Sequence, residues 1–346
     1  MNRNPIFIGI TLGDAGGIGP EVARKAVARR DWPSDLRFVL LGDPRALGAG
    51  AGRRVSVLPR GWEMLAPRSA LPARVALLRR RARVFVWDPG APGPLAIRPG
   101  RSTVSAARAA ACWIEAAVAA CRGGALDAMV TGPIAKHGFA KAGLDVPGNT
   151  ELLARLTGTP RYAMMLTGGP LRVVLVTRHL PLARVPAAVT AESITTAVRL
   201  AAESIPWLRI RPARIAVCAL NPHAGDGGAL GAEEQSLIRP TVRRLRRAGL
   251  AVEGPIPGDV VFHRAVNGAF GVVVAMYHDQ GLAPLKMLAF ESGVNVTLGL
   301  PIVRTSPDHG TAFDIAGSGK ADPGSMVEAI RTAYDAARRP NPWRKR

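Results

Sequence analysis

The sequence predicts an α/β protein with a mostly parallel β-sheet. Short apolar runs, such as 36–41 and the β-branched run 272–276, alternate with longer segments whose apolar residues recur at helical spacing. Glycine and proline mark most of the junctions between them. With 346 residues, 48% of them hydrophobic, the chain is long enough for one large or two medium domains with a sizeable core.

Each element is predicted from its local pattern. The apolar run 5–14 is a first strand, and glycines with Pro20 open a helix over 16–30. An alanine-rich helix is expected over 103–121, and a Thr190/Ser193 start indicates a helix that runs to Pro206. The remaining strands are expected at 36–43, 55–58, 82–88, 126–133, 161–168, 171–177, 215–220 and 272–276, with further helices after Thr150 and over 233–250.

The composition excludes several function classes. The formal net charge is +21, but the excess is nearly all arginine scattered along the chain, and no nucleic-acid-binding motif accompanies it. We therefore expect a solvated basic surface rather than a nucleic-acid partner. Cys112, Cys121 and Cys218 lack C-x-x-C spacing, which indicates buried thiols in a reducing compartment. No signal peptide or membrane span is expected, so a cytoplasmic location is predicted.

Three histidines share one pattern. His179, His223 and His278 each follow an apolar strand by a few residues, beside a glycine or proline turn. A single histidine at a strand end is usually a satisfied polar residue. Three at the carboxyl edge of one sheet, where such folds bind ligands, predict a divalent-metal site with positions left open for substrate.

A second group of residues predicts an anion site. Lys286, Asn295 and Arg304 follow one another at intervals of nine, too wide for one helix face, so separate loops or strand ends could converge on one small anion. Arginine and lysine together are the pairing expected for phosphate. Thr150 could be a plain N-cap, or could offer its hydroxyl and a helix N-terminus to a phosphate. The glycines at 16–19 do not fit G-x-G-x-x-G, and a tight β–α connection explains them at least as well.

The segment HGTAFDIAG at 309–317 resembles the cofactor loop of isocitrate and isopropylmalate dehydrogenases. The resemblance implies that His309, Gly310 and Ala312 line the adenine of a nicotinamide cofactor. Asp314 falls where an acid marks NAD preference, because a carboxylate accepts from the ribose 2′-OH and repels a 2′-phosphate; NADP stays an alternative. Asp322 stands where that family usually has asparagine.

A closer resemblance extends over almost the whole chain, to the 4-hydroxythreonine-4-phosphate dehydrogenase family of pyridoxal phosphate biosynthesis. Its motifs occur in the family's order: TLGD 11–14, GIGPE 17–21, TGP 131–133, GNTE 148–151, HLPL 179–182, NPHAG 221–225, YHDQG 277–281, GVN 293–295, GLP 299–301, RTS 304–306 and DHGTA 308–312.

This resemblance implies a fold, a site and a partner. The fold is two-lobed and isocitrate/isopropylmalate dehydrogenase-like, with mostly parallel sheets and a cleft between the lobes. We expect a cofactor lobe at 1–125 plus 285–346, and a metal and dimerisation lobe at 126–284. His179, His223 and His278 would bind a divalent metal (Zn, Mg or Co), one of them coming from the partner of a homodimer. Residues 149, 150, 286, 295 and 304 would hold the phosphorylated substrate.

One departure concerns the substrate. The family usually has histidine where this chain has Asn149, which donates a hydrogen bond but carries no charge. The expected reaction is NAD-dependent oxidation of 4-phosphohydroxy-L-threonine at C3, giving a β-keto acid that decarboxylates. Threonate or erythronate 4-phosphate is an alternative substrate, and a non-catalytic phosphate-binding protein is an alternative class. Asp259 is the candidate proton acceptor, or else a helix- or turn-capping acid.

Overall fold

The computed structural model describes residues 4–48, 58–144, 146 and 148–344. The chain forms two compact units, Met1–Thr159 with Leu300–Arg346, and Pro160–Gly299. Both changes of unit come later in the chain than the positions 125/126 and 284/285 expected from the sequence. The predicted α/β class with mostly parallel strands is confirmed, since every strand pair in the first unit is parallel and three of the five in the second are.

The strands, in chain order, are β1 Ile6–Thr11, β2 Leu36–Leu41, β3 Trp62–Met64, β4 Val84–Trp87, β5 Ala128–Thr131, β6 Ala163–Gly168, β7 Leu171–Leu175, β8 Ile215–Cys218, β9 Val252–Ile256, β10 Val272–Ala275, β11 Val294–Leu298 and β12 Val303–Pro307. The helices are α1 Gly19–Val27, α2 Arg74–Leu78, α3 Val104–Arg122, α4 Lys136–Lys141, α5 Asn149–Thr157, α6 Val185–Ala188, α7 Ala191–Trp207, α8 Arg239–Arg247, α9 Gly258–Val266, α10 His278–Ala289 and α11 Gly324–Ala337.

The first unit orders its strands β3-β4-β2-β1-β5-β12. Apart from the short edge strand β3, these strands are largely buried because helices cover a parallel sheet, which is why they appear in the sequence as apolar runs. Helix α3 contributes the fully buried Trp113 to this core. Among the described residues α3 is also the one helix long and apolar enough to cross a membrane by length and composition, a test that buried core helices pass as well.

The second unit orders its strands β11-β6-β7-β10-β8-β9. The glycine-glycine-proline turn predicted at 168–170 joins β6 and β7 as an antiparallel pair, whereas β7, β10, β8 and β9 run parallel. The parallel strands β7, β10 and β8 therefore end at one edge, and each is followed by one of the three histidines. Helix α7 begins at the predicted cap, where Thr190 and Ser193 exchange side-chain and backbone hydrogen bonds.

Three segments differ from the expectation or fall outside it. Residues 258–266, interpreted as a loop leading to a strand, form helix α9. The three-residue strand β3 was not predicted. A strand was expected at 55–58. Its first three residues, 55–57, lie outside the described part of the chain.

Candidate functional site

A buried arginine is the centre of the candidate anion site in the first unit. Arg304 lies on β12 and is 1% exposed. Its Nη2 and Nε donate to Thr131 Oγ1, at 2.6 and 3.2 Å, at the end of the neighbouring strand β5. Burial lowers the pKa of Arg304 from 12.5 to about 9, and the charge of Glu151 opposes this shift. The guanidinium therefore stays charged near neutral pH in a place that favours binding an anion.

The same threonine hydroxyl connects Arg304 to the start of α5. Asn149 Nδ2 donates to Thr131 Oγ1 at 3.4 Å, while Asn149 Oδ1 is buried and has no hydrogen-bond partner among the described residues. Thr150 is buried in the first turn of α5, but the N-cap is Gly148, so the interpretation of Thr150 as a plain N-cap is wrong. Asn149, at the start of α5, and Arg304 thus lie on either side of the Thr131 hydroxyl. Together they offer donors and a positive charge of the kind that binds a phosphate.

The other two expected anion ligands lie in the second unit. Lys286 is on α10 rather than in a loop, and its Nζ lies 5.2 Å from the centre of the Phe290 ring. Asn295 is on β11, with a buried Oδ1 that has no hydrogen-bond partner among the residues the structure describes. An acceptor buried in this way is costly unless a ligand donates to it. A phosphate only accepts, so a hydroxyl or ammonium group of a substrate would satisfy this oxygen, and the contact of Asn295 with an anion stays a prediction.

Two of the three expected metal ligands come together within one chain. The rings of His179 and His278 have centroids 5.5 Å apart. Two imidazoles that bind one tetrahedral ion through nitrogens at about 2.1 Å hold their ring centres roughly 5 Å apart. His278 Nδ1 lies 2.6 Å from Asp279 Oδ1, the carboxylate contact that orients histidine ligands in many metal sites. This donor pair fits a divalent ion.

The third histidine lies in a loop of unusual geometry. Residues 223–227 all have positive φ, from 42° at Asp226 to 80° at Gly225. Across the described residues, no group of three histidine, cysteine or acidic side chains is placed to hold a metal. His223 is exposed and does not complete the pair formed by His179 and His278 within one chain.

A buried glutamate fixes the base of the His223 loop. Glu234 is 0% exposed, and its Oε1 accepts from Leu220 N and Asn221 N, both at 2.8 Å. Its Oε2 accepts from Asn221 Nδ2 at 2.9 Å. A Cβ on Gly225 would lie 2.7 Å from the same Oε2, so only glycine fits there. This support offsets the strain of the left-handed residues.

Asp259, the expected proton acceptor, lies in the first turn of α9 and is exposed. The N-cap of α9 is Pro257, and no side chain caps the helix by a hydrogen bond. An acid in the first turn stabilises the helix N-terminus by its charge, but Asp259 does not cap α9, and its role as proton acceptor stays a prediction.

The expected cofactor loop lies in the first unit. His309 is half-buried with Nδ1 3.0 Å from Gly310 O, and Ala312 has a positive φ of 40°. Asp314 is exposed. Asp322 Oδ1 accepts from Gly324 N at 2.6 Å, where α11 begins, so this carboxylate has a local structural partner.

Two side chains that were not recognised from the sequence support this loop. Lys25 Nζ on α1 donates to Gly319 O and Ala321 O at 2.8 and 2.7 Å, and Glu21 Oε1 accepts from Ala321 N at 3.0 Å. Gly17 supports the interpretation of the glycines at 16–19 as a tight β–α connection, since a Cβ there would lie 2.9 Å from Thr311 O. The spacing of Glu21 and Lys25, four residues apart in a predicted helix, was the local signal that these two side chains form an ion pair.

A buried carboxylate lies close to the glycine-rich turn. Asp14 is 1% exposed, and it accepts from Gly16 N at 2.9 Å and from Ser102 Oγ at 2.6 Å. Burial raises the pKa of Asp14, while these hydrogen bonds and the nearby His137 lower it by less. Asp14 thus links the turn after β1 to the segment before α3.

Comparisons with known proteins show the family to which the chain is similar. The family model described as pyridoxal phosphate biosynthetic protein PdxA matches residues 37–333. A 4-hydroxythreonine-4-phosphate dehydrogenase of Desulfosudis oleivorans is 44% identical over 339 residues, covering 97% of each chain. A D-threonate 4-phosphate dehydrogenase of Cupriavidus necator is 42% identical over 333 residues, covering 96% of this chain and 97% of that protein.

A solved structure is similar over the same length. The crystal structure of 4-hydroxythreonine-4-phosphate dehydrogenase from Klebsiella pneumoniae matches with a TM-score of 0.81 at 37% identity, covering 96% of this chain and 99% of that chain.

Proposed function

Because the chain belongs to the PdxA family of pyridoxal phosphate biosynthetic proteins, we propose that it oxidises 4-phosphohydroxy-L-threonine at C3 with a nicotinamide cofactor. The product is a β-keto acid, which decarboxylates to 3-amino-2-oxopropyl phosphate. The observation that carries this proposal is the buried cation of Arg304 beside Thr131 and the start of α5. Burying a guanidinium is costly, and a phosphate ester is a ligand that offsets the cost.

In this proposal the chain's own residues bind and orient the substrate. Arg304, Thr150 and Asn149 hold the phosphorylated end, with Lys286 and Asn295 as further ligands. Fixing the phosphate away from the reacting carbon orients the C3 hydroxyl for reaction. When bound, a divalent ion (Zn, Mg or Co) supplies Lewis acidity to that hydroxyl and the nicotinamide supplies hydride acceptance.

The histidines would hold the metal and the loop at 309–322 the cofactor. His179 and His278 have the separation of two ligands on one ion, and His223 is the third expected ligand. His309, Gly310 and Ala312 would line the adenine, and the carboxylate of Asp314 favours NAD over NADP. Asp322 accepts from Gly324 N in the turn before α11. In this proposal it also contacts the cofactor.

We also propose a homodimer with a shared site. His223 is not grouped with the other two histidines inside one chain, so a second copy would have to complete the ligand set. Helix α10 and its end expose large apolar side chains, with Met287 88%, Leu288 51% and Phe290 73% exposed. Such exposure is costly in a monomer and typical of a surface covered by a partner. The unpaired thiols Cys112, Cys121 and Cys218 support a cytoplasmic location.

A second candidate substrate is favoured by one observation. Asn149 replaces the histidine expected from the family, and its buried Oδ1 has no partner among the described residues. A relative similar over its whole length acts on D-threonate 4-phosphate, by its name. An amide accepts from a substrate hydroxyl as well as from an ammonium group, so threonate 4-phosphate is a realistic competitor.

The test is NAD reduction with 4-phosphohydroxy-L-threonine, D-threonate 4-phosphate and erythronate 4-phosphate, with and without EDTA. We expect turnover of the first substrate that stops when EDTA removes the metal. A higher kcat/KM for D-threonate 4-phosphate would favour the second candidate, and Asn149→His would then shift preference towards the amino substrate. Binding of these phosphates without any turnover would support the non-catalytic alternative, and a rate insensitive to EDTA would contradict the metal role.

A further inference from the structure

The three histidines follow three adjacent strands, so their relative positions depend on how the chain is held after those strands end. Strand β10 pairs with β7 as far as Ala275 and Leu175, and with β8 as far as Val274 and Val217. Each histidine lies several residues beyond its last pair. Additional hydrogen bonds must therefore hold these segments in register.

On the β7 side, the main chain and a threonine hydroxyl extend the pairing. Thr177, two residues before His179, donates from its N to Met276 O at 3.1 Å and from its Oγ1 to the same oxygen at 2.7 Å. Met276 lies two residues before His278. The segments that precede His179 and His278 are thus joined directly, in agreement with the short distance between their rings.

On the β8 side, a single side chain makes the connection. Gln280 Oε1 accepts from Met276 N at 2.7 Å, and Gln280 Nε2 donates to Ala219 O at 2.7 Å. Both ends of the amide are therefore used. The glutamine replaces the hydrogen bonds that a longer β-ladder would have provided between β10 and β8.

The connection continues from Ala219 to the loop of His223. Ala219 O accepts from Gln280, and the next two main-chain amides, Leu220 N and Asn221 N, donate to Glu234. Three successive residues are thereby fixed just before His223. The left-handed loop that follows has little freedom once its start is held, because its strained conformation depends on its surroundings.

We propose that Gln280 is a positioning residue for the metal site. It fixes the start of α10, which bears His278, against the segment that presents His223, and it acts through the main chain of Met276 and Ala219. This inference rests on the proposed metal role of the histidines. It assigns to Gln280 the spacing between two ligand-bearing segments of one chain, whether they serve the same ion or two ions in a dimer.

The substitution Gln280→Glu tests the donor half of this connection. It preserves size and shape, and its carboxylate still accepts from Met276 N. The ionised carboxylate, however, turns an acceptor towards Ala219 O, so that hydrogen bond is lost. Gln280→Met, which carries no charge, removes both hydrogen bonds. Both substitutions should therefore weaken metal binding.

The measurement is Co²⁺ binding to metal-free protein at pH 8, followed by the visible absorption of the bound ion. We expect Gln280→Glu and Gln280→Met each to weaken Co²⁺ binding about tenfold relative to wild type, as expected for residues that orient metal ligands. Asn267→Asp is the matched control, since it makes the same amide-to-carboxylate change at an exposed residue at the end of α9, and should bind Co²⁺ like wild type.

Each result supports or overturns the inference. Folded Gln280→Glu with wild-type Co²⁺ affinity would overturn it while leaving the metal role intact. If this variant does not fold, Gln280→Met must show the loss, and normal Co²⁺ binding by it would overturn the inference. Wild-type protein that binds no Co²⁺ would refute the metal role, and the positioning role with it.

Discussion

Replacing Arg304 by methionine should separate stability from ligand binding. The fall in the pKa of Arg304 from 12.5 to about 9 corresponds to roughly 5 kcal/mol against the buried cation, at about 1.36 kcal/mol per tenfold change in protonation. Methionine carries no charge and replaces the arginine side chain only as far as about Nε, so the volume of the guanidinium group is left empty. The ligand-free variant should therefore escape most of this cost.

Part of the gain is offset by what the arginine leaves behind. Thr131 Oγ1 loses two donors at 2.6 and 3.2 Å, and Glu151 loses a neighbouring positive charge. Glu151 is half-buried in the first turn of α5, where water and the helix N-terminus still stabilise its carboxylate. We therefore expect Arg304→Met to be about 1–3 kcal/mol more stable than wild type without ligand.

The pH dependence of this gain has a defined sign. A cation whose pKa is lowered by folding destabilises the folded protein at pH values below that pKa. The penalty is relieved as the pH rises through about 9, because the folded form then releases the proton first. The stability difference between Arg304→Met and wild type should accordingly be constant near neutral pH and shrink above pH 9.

Urea unfolding with and without inorganic phosphate is the assay. Phosphate should stabilise the wild type in proportion to its binding, and this effect should disappear in Arg304→Met. Arg172→Met is the matched control, because burial also lowers the pKa of Arg172, which lies on β7 in the second unit. A variant of Arg304 that is less stable than wild type and is still stabilised by phosphate would refute a ligand-binding role for this arginine.

Three further predictions concern the cofactor, the buried acid and the dimer. Asp314→Ala should raise kcat/KM for NADP relative to NAD by about tenfold, since it removes a like charge from the expected position of the 2′-phosphate; an unchanged ratio would place the 2′ position elsewhere. Because burial raises the pKa of Asp14, the stability that this acid contributes is lost as the pH rises above 3.8, so Asp14→Asn should compare more favourably with wild type at pH 7 than at pH 4 in thermal unfolding. Phe290→Lys should lower the mass measured by light scattering from dimer towards monomer, and a variant that stays dimeric would exclude this surface from the interface.

Sequence reasoning succeeded where local pattern and tertiary structure agree. The apolar run before His278 is strand β10, and the Thr190/Ser193 cap begins α7. It failed where the local signals conflicted. Residues 258–266 begin with glycine and contain a valine pair, neither of which favours helix, so they were interpreted as a loop, yet they form α9. Pro284 lies inside α10 and concealed the helix that carries Lys286.

The residues that support the site could not be predicted, because their partners are distant in the chain. Gln280 contacts a carbonyl 61 residues away, and Lys25 contacts one 296 residues away. A glutamine on a helix surface and a lysine in a helix have no local feature that distinguishes them from solvated side chains. Histidines and arginine were recognisable from their chemistry, whereas the groups that hold them become visible only once the strands are in register.

Two departures from local rules, one in each unit, lie at the candidate sites. Arg304 is a buried cation, and His223 opens a run of left-handed residues that includes Ala224 and Asp226, which lack the freedom of glycine. Each departure costs stability, and each is held by neighbours that fix it, Thr131 for the arginine and Glu234 for the loop. Folding alone does not require either feature, so their presence is best explained by ligands, an anion for Arg304 and a metal ion for His223. If both explanations hold, phosphate and Co²⁺ should each raise the stability of the wild type, and Arg304→Met should remove only the phosphate effect.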